Sequence, residues 1–249
     1  MKILLIENLQ IKYKKKEGKE LIICDNLSLK FKEGEIIGIF GPNGSGKTSL
    51  LRTLIRLNKP SKGCIKYLNN RNIEKGKISY IPQQIENSFF SWLSVKKNID
   101  YLKKDNTDEK IKNLWNDFEI EYDFRINPLD CSGGMLQQAA IVRAFINNPD
   151  ILIGDEPFSA LDVKTAGRMR SMFRKKIKQQ GTIAIISIHN LDDLLSICDK
   201  VLFIPNKPYS SLEDTSIHQV EIYNNHYVND REFTNKENSL RQTLEKLFN

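Results

Sequence analysis

Residues 36–57 run "IIGIFGPNGSGKTSLLRTLIRL": a short apolar stretch, a loop with three glycines in six positions, and leucines at helical spacing. Glycine weakens helix and strand alike, so three of them between two regular elements mark a backbone that must turn tightly. The pattern predicts a buried strand, a loop and a helix. That helix carries Leu50, Leu51, Leu54, Ile55 and Leu57 on its apolar face and ends before Pro60. A strand feeding a helix through a tight loop is a unit of an α/β layered core.

The same stretch carries chemistry. Gly41, Gly46, Lys47 and Thr48 satisfy G-x-x-x-x-G-K-[ST] between the predicted strand and helix, the context this pattern requires. Glycines let backbone N–H groups turn inward around phosphate oxygens, and the helix N-terminus adds positive potential. The candidate phosphate cradle is therefore Gly41, Pro42, Asn43, Gly44, Ser45 and Gly46, with Lys47, Thr48 and Ser49 opening the helix. Lys47 supplies a charge for the β/γ-phosphates, and the Thr48 hydroxyl is a Mg²⁺ ligand. This is a nucleoside triphosphate site.

A second apolar run, "ILIGDEP", ends on two carboxylates. Asp155 is placed to hold Mg²⁺ through water, and Glu156 to orient and polarise an attacking water. "ILIGD" and "TIAIISIH" are too short for helices and read as central parallel strands, with a basic helix over 163–180 between them. "ILLIENLQIKY", "LIICDNLSLKF", "GCIKYL" and "KISYIP" add further strands, and the lysine-rich turn around Gly18 joins the first two. Residues 95–122 turn polar and helical. The chain thus reads as an α/β core with a helical insertion near 85–135. Beyond residue 205 the character changes. A hairpin around Asn224 and Asn225 is one reading; the other is an amphipathic terminal helix with Thr234 and Glu237 as capping box and Leu240, Leu244 and Leu247 on one face.

Bulk properties exclude some classes. The net charge of +7 suits nucleic acid, an anionic membrane or a polyphosphate, and chooses none of them. Cys24, Cys64, Cys131 and Cys198 lie far apart without a CxxC pair, and read as small buried residues of a reducing compartment. The opening "MKILLIENLQI" reaches Glu7 after four apolar residues, too few for a signal-peptide core, and no apolar run is long enough to span a bilayer. The expectation is a protein of the cytosol, or one held at a membrane by a partner.

With "CSGGM" followed by "IVRAFINNPDILIGDEPFSALD", residues 1–205 resemble the ABC ATPase family, whose signature usually reads L-S-G-G-Q. The resemblance implies a P-loop NTPase core of mixed and parallel sheet with flanking helices, an antiparallel β part and a helical insertion. Residues 206–249 then form a C-terminal extension. It also implies that two chains sandwich two ATP molecules. Ser132, Gly133 and Gly134 would meet the γ-phosphate bound to the opposite subunit, an anion favoured by a helix start. Tyr13 matches the aromatic that stacks on adenine. Gln83, with Gln84 as the competing choice, matches the glutamine that reaches Mg²⁺ and the attacking water. Asp162 matches a loop crossing the dimer interface, and His189 a contact to the γ-phosphate, with Asn190 capping the next helix. The departures are Cys131 and Met135 around Ser-Gly-Gly, Gln138, Ile188 and Asn190. None removes a group that touches phosphate or metal.

One ATP-binding half without membrane spans is similar to the energising subunit of a transporter. It would sit peripherally on the cytoplasmic face of the membrane, with transmembrane permease subunits and, in an importer, a solute-binding subunit. "SFFSWLSVKKNI" looks like the corresponding stretch of ATPases serving nitrate, sulfonate and taurine importers, without its proline. The other reading is a soluble ABC-type ATPase, such as those of iron–sulfur cluster assembly. Direct binding of nucleic acid is not expected, since the members that do so carry two halves in one chain or a long coiled-coil insertion.

Overall fold

The computed structural model describes residues 1–14, 20–69, 72–73, 77–101, 108–204, 218–221 and 242. Two sheets build it. β1 (Lys2–Lys14), β2 (Glu20–Lys32), β4 (Lys62–Asn69) and β5 (Asn72–Ile73) form an antiparallel sheet in the order β2-β1-β4-β5. The second sheet contains β3 (Ile36–Phe40), β6 (Ile78–Ile81), β7 (Ile151–Asp155), β8 (Ile183–Ser187), β9 (Lys200–Phe203) and β10 (His218–Glu221). Its order is β10-β9-β3-β8-β7-β6, parallel except for the β9–β10 pair.

The central strands are apolar on both faces because each face meets its own core. In β3, Ile36 and Phe40 join the core beneath the helices, while Ile37 and Ile39 join the core shared with the antiparallel sheet. β7 and β8 divide in the same way: Leu152, Ala184 and Ile186 go to the first core, Ile151, Ile153, Ile183 and Ile185 to the second. Helix α1 (Lys47–Leu54) packs into the second core through Leu50, Leu51 and Leu54. The expected apolar stripe stops short. Arg56 enters the left-handed region (φ 62°), which ends the helix and leaves Leu57 exposed.

Within the span that the sequence marks as helical lie α2 (Val95–Asp100) and α3 (Asp108–Asp117). Glu119 at φ 51° turns the chain so that Phe118 and Ile120 both enter the core. α4 (Gly133–Phe145) and α5 (Val163–Gln180) flank the parallel sheet, α5 on the span expected from the sequence. α6 (Leu191–Ile197) leads to β9. The strand β10 adds part of the C-terminal segment to the edge of the main sheet. The Asn224-Asn225 hairpin and the terminal helix lie outside the described residues, apart from Gln242.

Asp199 ties three elements together. One carboxylate oxygen accepts from the Ile36 N–H (2.8 Å) and from Lys178 (2.7 Å), the other from Arg174 (2.7 Å). Burial pushes this carboxyl upward, but Lys178, the Ile36 amide and Arg174 outweigh it and hold the carboxyl below its ordinary value. A depressed folded value means stability that is complete above the unfolded carboxylate value and lost as pH falls toward the folded one. Asp199→Asn should therefore cost about 2 kcal/mol near neutral pH, a melting point lower by roughly 4–8 °C, and the gap to wild type should begin to narrow below about pH 4. Thermal melts at pH 7 and pH 3.5 check both points.

Candidate functional site

Four neighbouring strands of the main sheet, β3, β8, β7 and β6, run parallel and end at the same edge. Ligands of open α/β sheets bind outside these carboxyl ends. The glycine loop follows β3, His189 follows β8, Asp155 and Glu156 close β7, and Gln83 follows β6. The topology alone gathers four groups spread along the sequence from residue 41 to residue 189.

Two of the loop's glycines, Gly41 and Gly46, are required by space, while Gly44 has open space around it and a left-handed backbone (φ 81°). A side chain at Gly41 would stand 2.2 Å from the Ile204 carbonyl, and one at Gly46, which sits at φ 104°, would meet Ile23 at 2.5 Å. Gly46 caps α1, and its carbonyl accepts the Leu50 N–H (2.9 Å). Lys47 reaches back over the loop and donates to the carbonyls of Gly41 (2.7 Å) and Pro42 (3.0 Å). Burial pulls its ammonium below the usual lysine value, and the charges of Glu156 and Asp155 oppose that pull.

Thr48 and Asp155 stand together: the threonine hydroxyl donates to Asp155 Oδ2 at 2.8 Å. Paired oxygen donors of this kind suit Mg²⁺, which takes one or two protein oxygens and completes its shell with water and phosphate. Glu156 follows with its backbone in the left-handed region (φ 52°). Its carboxylate Oε2 lies 3.6 Å from His189 Nδ1. Asn190 caps α6 by accepting from the Asp192 N–H (2.8 Å) and fixes the chain just beyond the histidine.

Sequence reasoning missed Ser187, the last residue of β8, which is fully buried. Its hydroxyl donates to Asp155 Oδ1 (2.7 Å) and accepts from the Glu156 N–H (2.8 Å). The available signal was a lone hydroxyl closing an apolar run two residues before His189.

Gln83 and Gln84 are both exposed and line an open cleft with Asp155. Gln84 is engaged locally, accepting from the Asn87 side chain (3.1 Å). Tyr13 is half-buried against the second core, and its hydroxyl accepts from Asn58 (2.9 Å). Ser132 is elsewhere. It caps α4 by accepting from the Met135 N–H (3.2 Å), which leaves its own hydroxyl proton free to donate. Gly133 and Gly134 adjoin Glu86 and Ala160 rather than the glycine loop. Asp162 caps α5 through the Thr165 N–H (3.0 Å). Of the four cysteines, Cys24 and Cys198 are buried as expected, whereas Cys64 and Cys131 are only half-buried; none is joined in a disulfide.

The insertion presents an aromatic patch. Phe90 packs on Trp92 (ring centroids 5.1 Å) and Tyr101 (5.4 Å), and Trp92 is 75% exposed. Phe89 turns inward beneath the Arg143 guanidinium. Asn98, buried beneath this loop, accepts from the Phe90 N–H (2.7 Å) and donates to the carbonyls of Phe90, Leu93 and Ser94.

Comparison with known proteins places the chain among characterised relatives. The ABC transporter family profile matches residues 24–159. The taurine import ATP-binding protein TauB of Pelagibacter ubique is 28% identical over 218 residues, 84% of this chain and 80% of that protein. The methionine import ATP-binding protein MetN of Francisella tularensis subsp. holarctica is 30% identical over 213 residues, 80% of this chain and 60% of MetN. Among solved structures, the dimeric post-hydrolysis state of the ATP-binding cassette MJ0796 with ADP and Pi aligns with a TM-score of 0.73 at 24% identity. That alignment covers 88% of this chain and 99% of the cassette.

Proposed function

The chain belongs to the ABC transporter family, and we propose on that premise that it is the ATP-hydrolysing subunit of an importer. The observation that carries this is the common edge of β3, β8, β7 and β6, which brings a phosphate loop, a histidine, two carboxylates and a glutamine to one place. Each has a distinct task. The loop N–H groups and Lys47 hold the triphosphate, and Tyr13 receives the adenine ring. Thr48 and Asp155, with Gln83, would hold Mg²⁺, which would supply positive charge against the phosphates. Glu156 accepts a proton from water, the water oxygen bonds to the γ-phosphorus, and the bond to the β–γ bridging oxygen breaks to release ADP. His189 contacts the γ-phosphate from beside Glu156.

Ser132, Gly133 and Gly134 stand apart from this edge, which supports a role toward a second copy. Two chains facing each other would each offer the start of α4 to the other's ATP, with Asp162 near the seam. The further partner is a transmembrane permease, with a solute-binding subunit beyond it. No described helix is long and apolar enough to cross a membrane. The permease is the proposed anchor, holding the chain peripherally on the cytoplasmic face.

The aromatic patch held by Asn98 is the surface we assign to the permease. Large exposed rings close together mark interaction sites and carry much of their binding energy. Trp92→Ala should leave the ATPase rate of the isolated chain within about twofold and release at least about tenfold more protein from host membranes, as an anchor worth ~2 kcal/mol implies. Cosedimentation of both forms with native membranes is the measurement. A wild-type chain that never sediments with membranes would favour the soluble ATPase instead.

A further inference from the structure

The geometry at the end of β8 assigns a role to a residue outside the nucleotide-binding set: we propose that Ser187 is the positioning residue that sets both carboxylates of the site for hydrolysis. This rests on Glu156 being the base that activates water. One hydroxyl serves two neighbours at once. Its proton goes to Asp155 Oδ1, and its oxygen accepts the Glu156 N–H. Thr48 occupies the other oxygen of Asp155, so this carboxylate is clamped between the start of α1 and the end of β8.

Glu156 gains more than a hydrogen bond. Its backbone sits at φ 52°, a region that a residue with a side chain adopts only when its surroundings hold it there. The Ser187 hydroxyl holds the amide of that peptide, and the conformation directs the carboxylate to 3.6 Å from His189. His189 lies two residues beyond Ser187 on the same chain segment. A buried apolar residue at 187, like its neighbours in β8, would orphan the Glu156 amide and one oxygen of Asp155 together. Relaxation of φ would then swing the base away from the water without disturbing the glycine loop. The expected defect is therefore in turnover, with ATP affinity spared.

The test compares the full chain with Ser187→Ala, Ser187→Cys and Ser187→Thr, measuring turnover, Mg-ATP affinity by titration calorimetry and melting point. Ala and Cys should each lose about 10–100-fold in kcat, the range for supports of metal-site residues, with ATP affinity within about threefold of wild type. Cys is nearly isosteric and a poor hydrogen-bond partner, so it decides the matter if Ala fails to fold. Thr keeps the hydroxyl and should recover turnover to within about threefold of wild type. In a Glu156→Gln background, adding Ser187→Ala should cost several-fold less than it does in wild type, because the part of its effect that runs through Glu156 is already lost. Wild-type turnover in both Ala and Cys overturns the proposal, as does a Thr variant as slow as Ala. If Glu156→Gln alone kept full turnover, the assignment of the base would fail first and this role with it. An inactive Glu156→Gln beside a fully active Ser187→Ala would sink only the role of Ser187.

Discussion

Lys47→Ala should weaken ATP binding about a hundredfold or more, since each charge-assisted hydrogen bond to phosphate contributes roughly 1.5–3 kcal/mol and this ammonium faces two phosphates. The loss exceeds that of one contact because Lys47 also donates to the carbonyls of Gly41 and Pro42, which shape the loop. Lys47→Arg should not rescue it, since a planar fork does not fit a space built for a compact point charge. The same residue predicts a pH dependence. Burial lowers the Lys47 value in the free chain, against the opposing pull of Glu156 and Asp155. Bound phosphate favours the ammonium and raises that value again. Affinity should thus fall as pH rises from the free-chain value toward the bound one, beginning at a lower pH than an exposed lysine would give. Titrations of Mg-ATP between pH 7 and pH 10 measure the slope, and an unchanged Lys47→Ala affinity would refute the loop's role.

Glu156→Gln should lower turnover by about 100-fold or more, within the range for removal of a general base, while ATP still binds. Glutamine preserves length and shape but cannot accept the proton of the attacking water. The Ser187 hydroxyl bonds to the backbone of residue 156, so the substitution leaves that support in place. With hydrolysis slowed, chains that close around ATP stay closed. The variant should elute as an ATP-dependent dimer on size exclusion where wild type gives mostly monomer. Ser132→Arg, which fills the space before α4, should abolish that dimer from the other side. A Glu156→Gln protein with wild-type turnover would show that another group activates water.

The parts of this site that lay open in the sequence were those written in local pattern. Glycine spacing, an apolar run ending on paired carboxylates and a serine before a helix each announce themselves within ten residues, and the glycine loop, β7 and the cap of α4 appear where expected. The resemblance supplied Gln83 and His189, whose immediate surroundings say little. What stayed hidden depends on register. Ser187 matters because β8 pairs with β7 so that it faces Asp155, and a one-residue shift would have turned it to the other side of the sheet. The left-handed conformation of Glu156, like that of Arg56 and Glu119, has no residue-type signature, since none is glycine or asparagine. Tertiary packing imposes it. The aromatics of residues 89–92 were visible as a cluster, but only the fold separates Phe89, turned inward beneath Arg143, from Trp92, turned outward.

The order of the main sheet also grades how firmly each group is held. Among the described residues, β3, β8 and β7 each have a neighbouring strand on both sides, whereas β6 is bonded only to β7. The phosphate loop, the histidine and the carboxylates therefore rest on ladders that give way only when the sheet itself opens. The glutamine rests on a rim strand that can peel by breaking one row of hydrogen bonds. Amide exchange should record this as a step, with β6 protons replaced well before those of β7 or β8. Tyr80 of that strand and Pro82 just beyond it line one pocket with Phe90 and Tyr101. A push on the aromatic patch should therefore shift Gln83 more readily than the loop that grips phosphate.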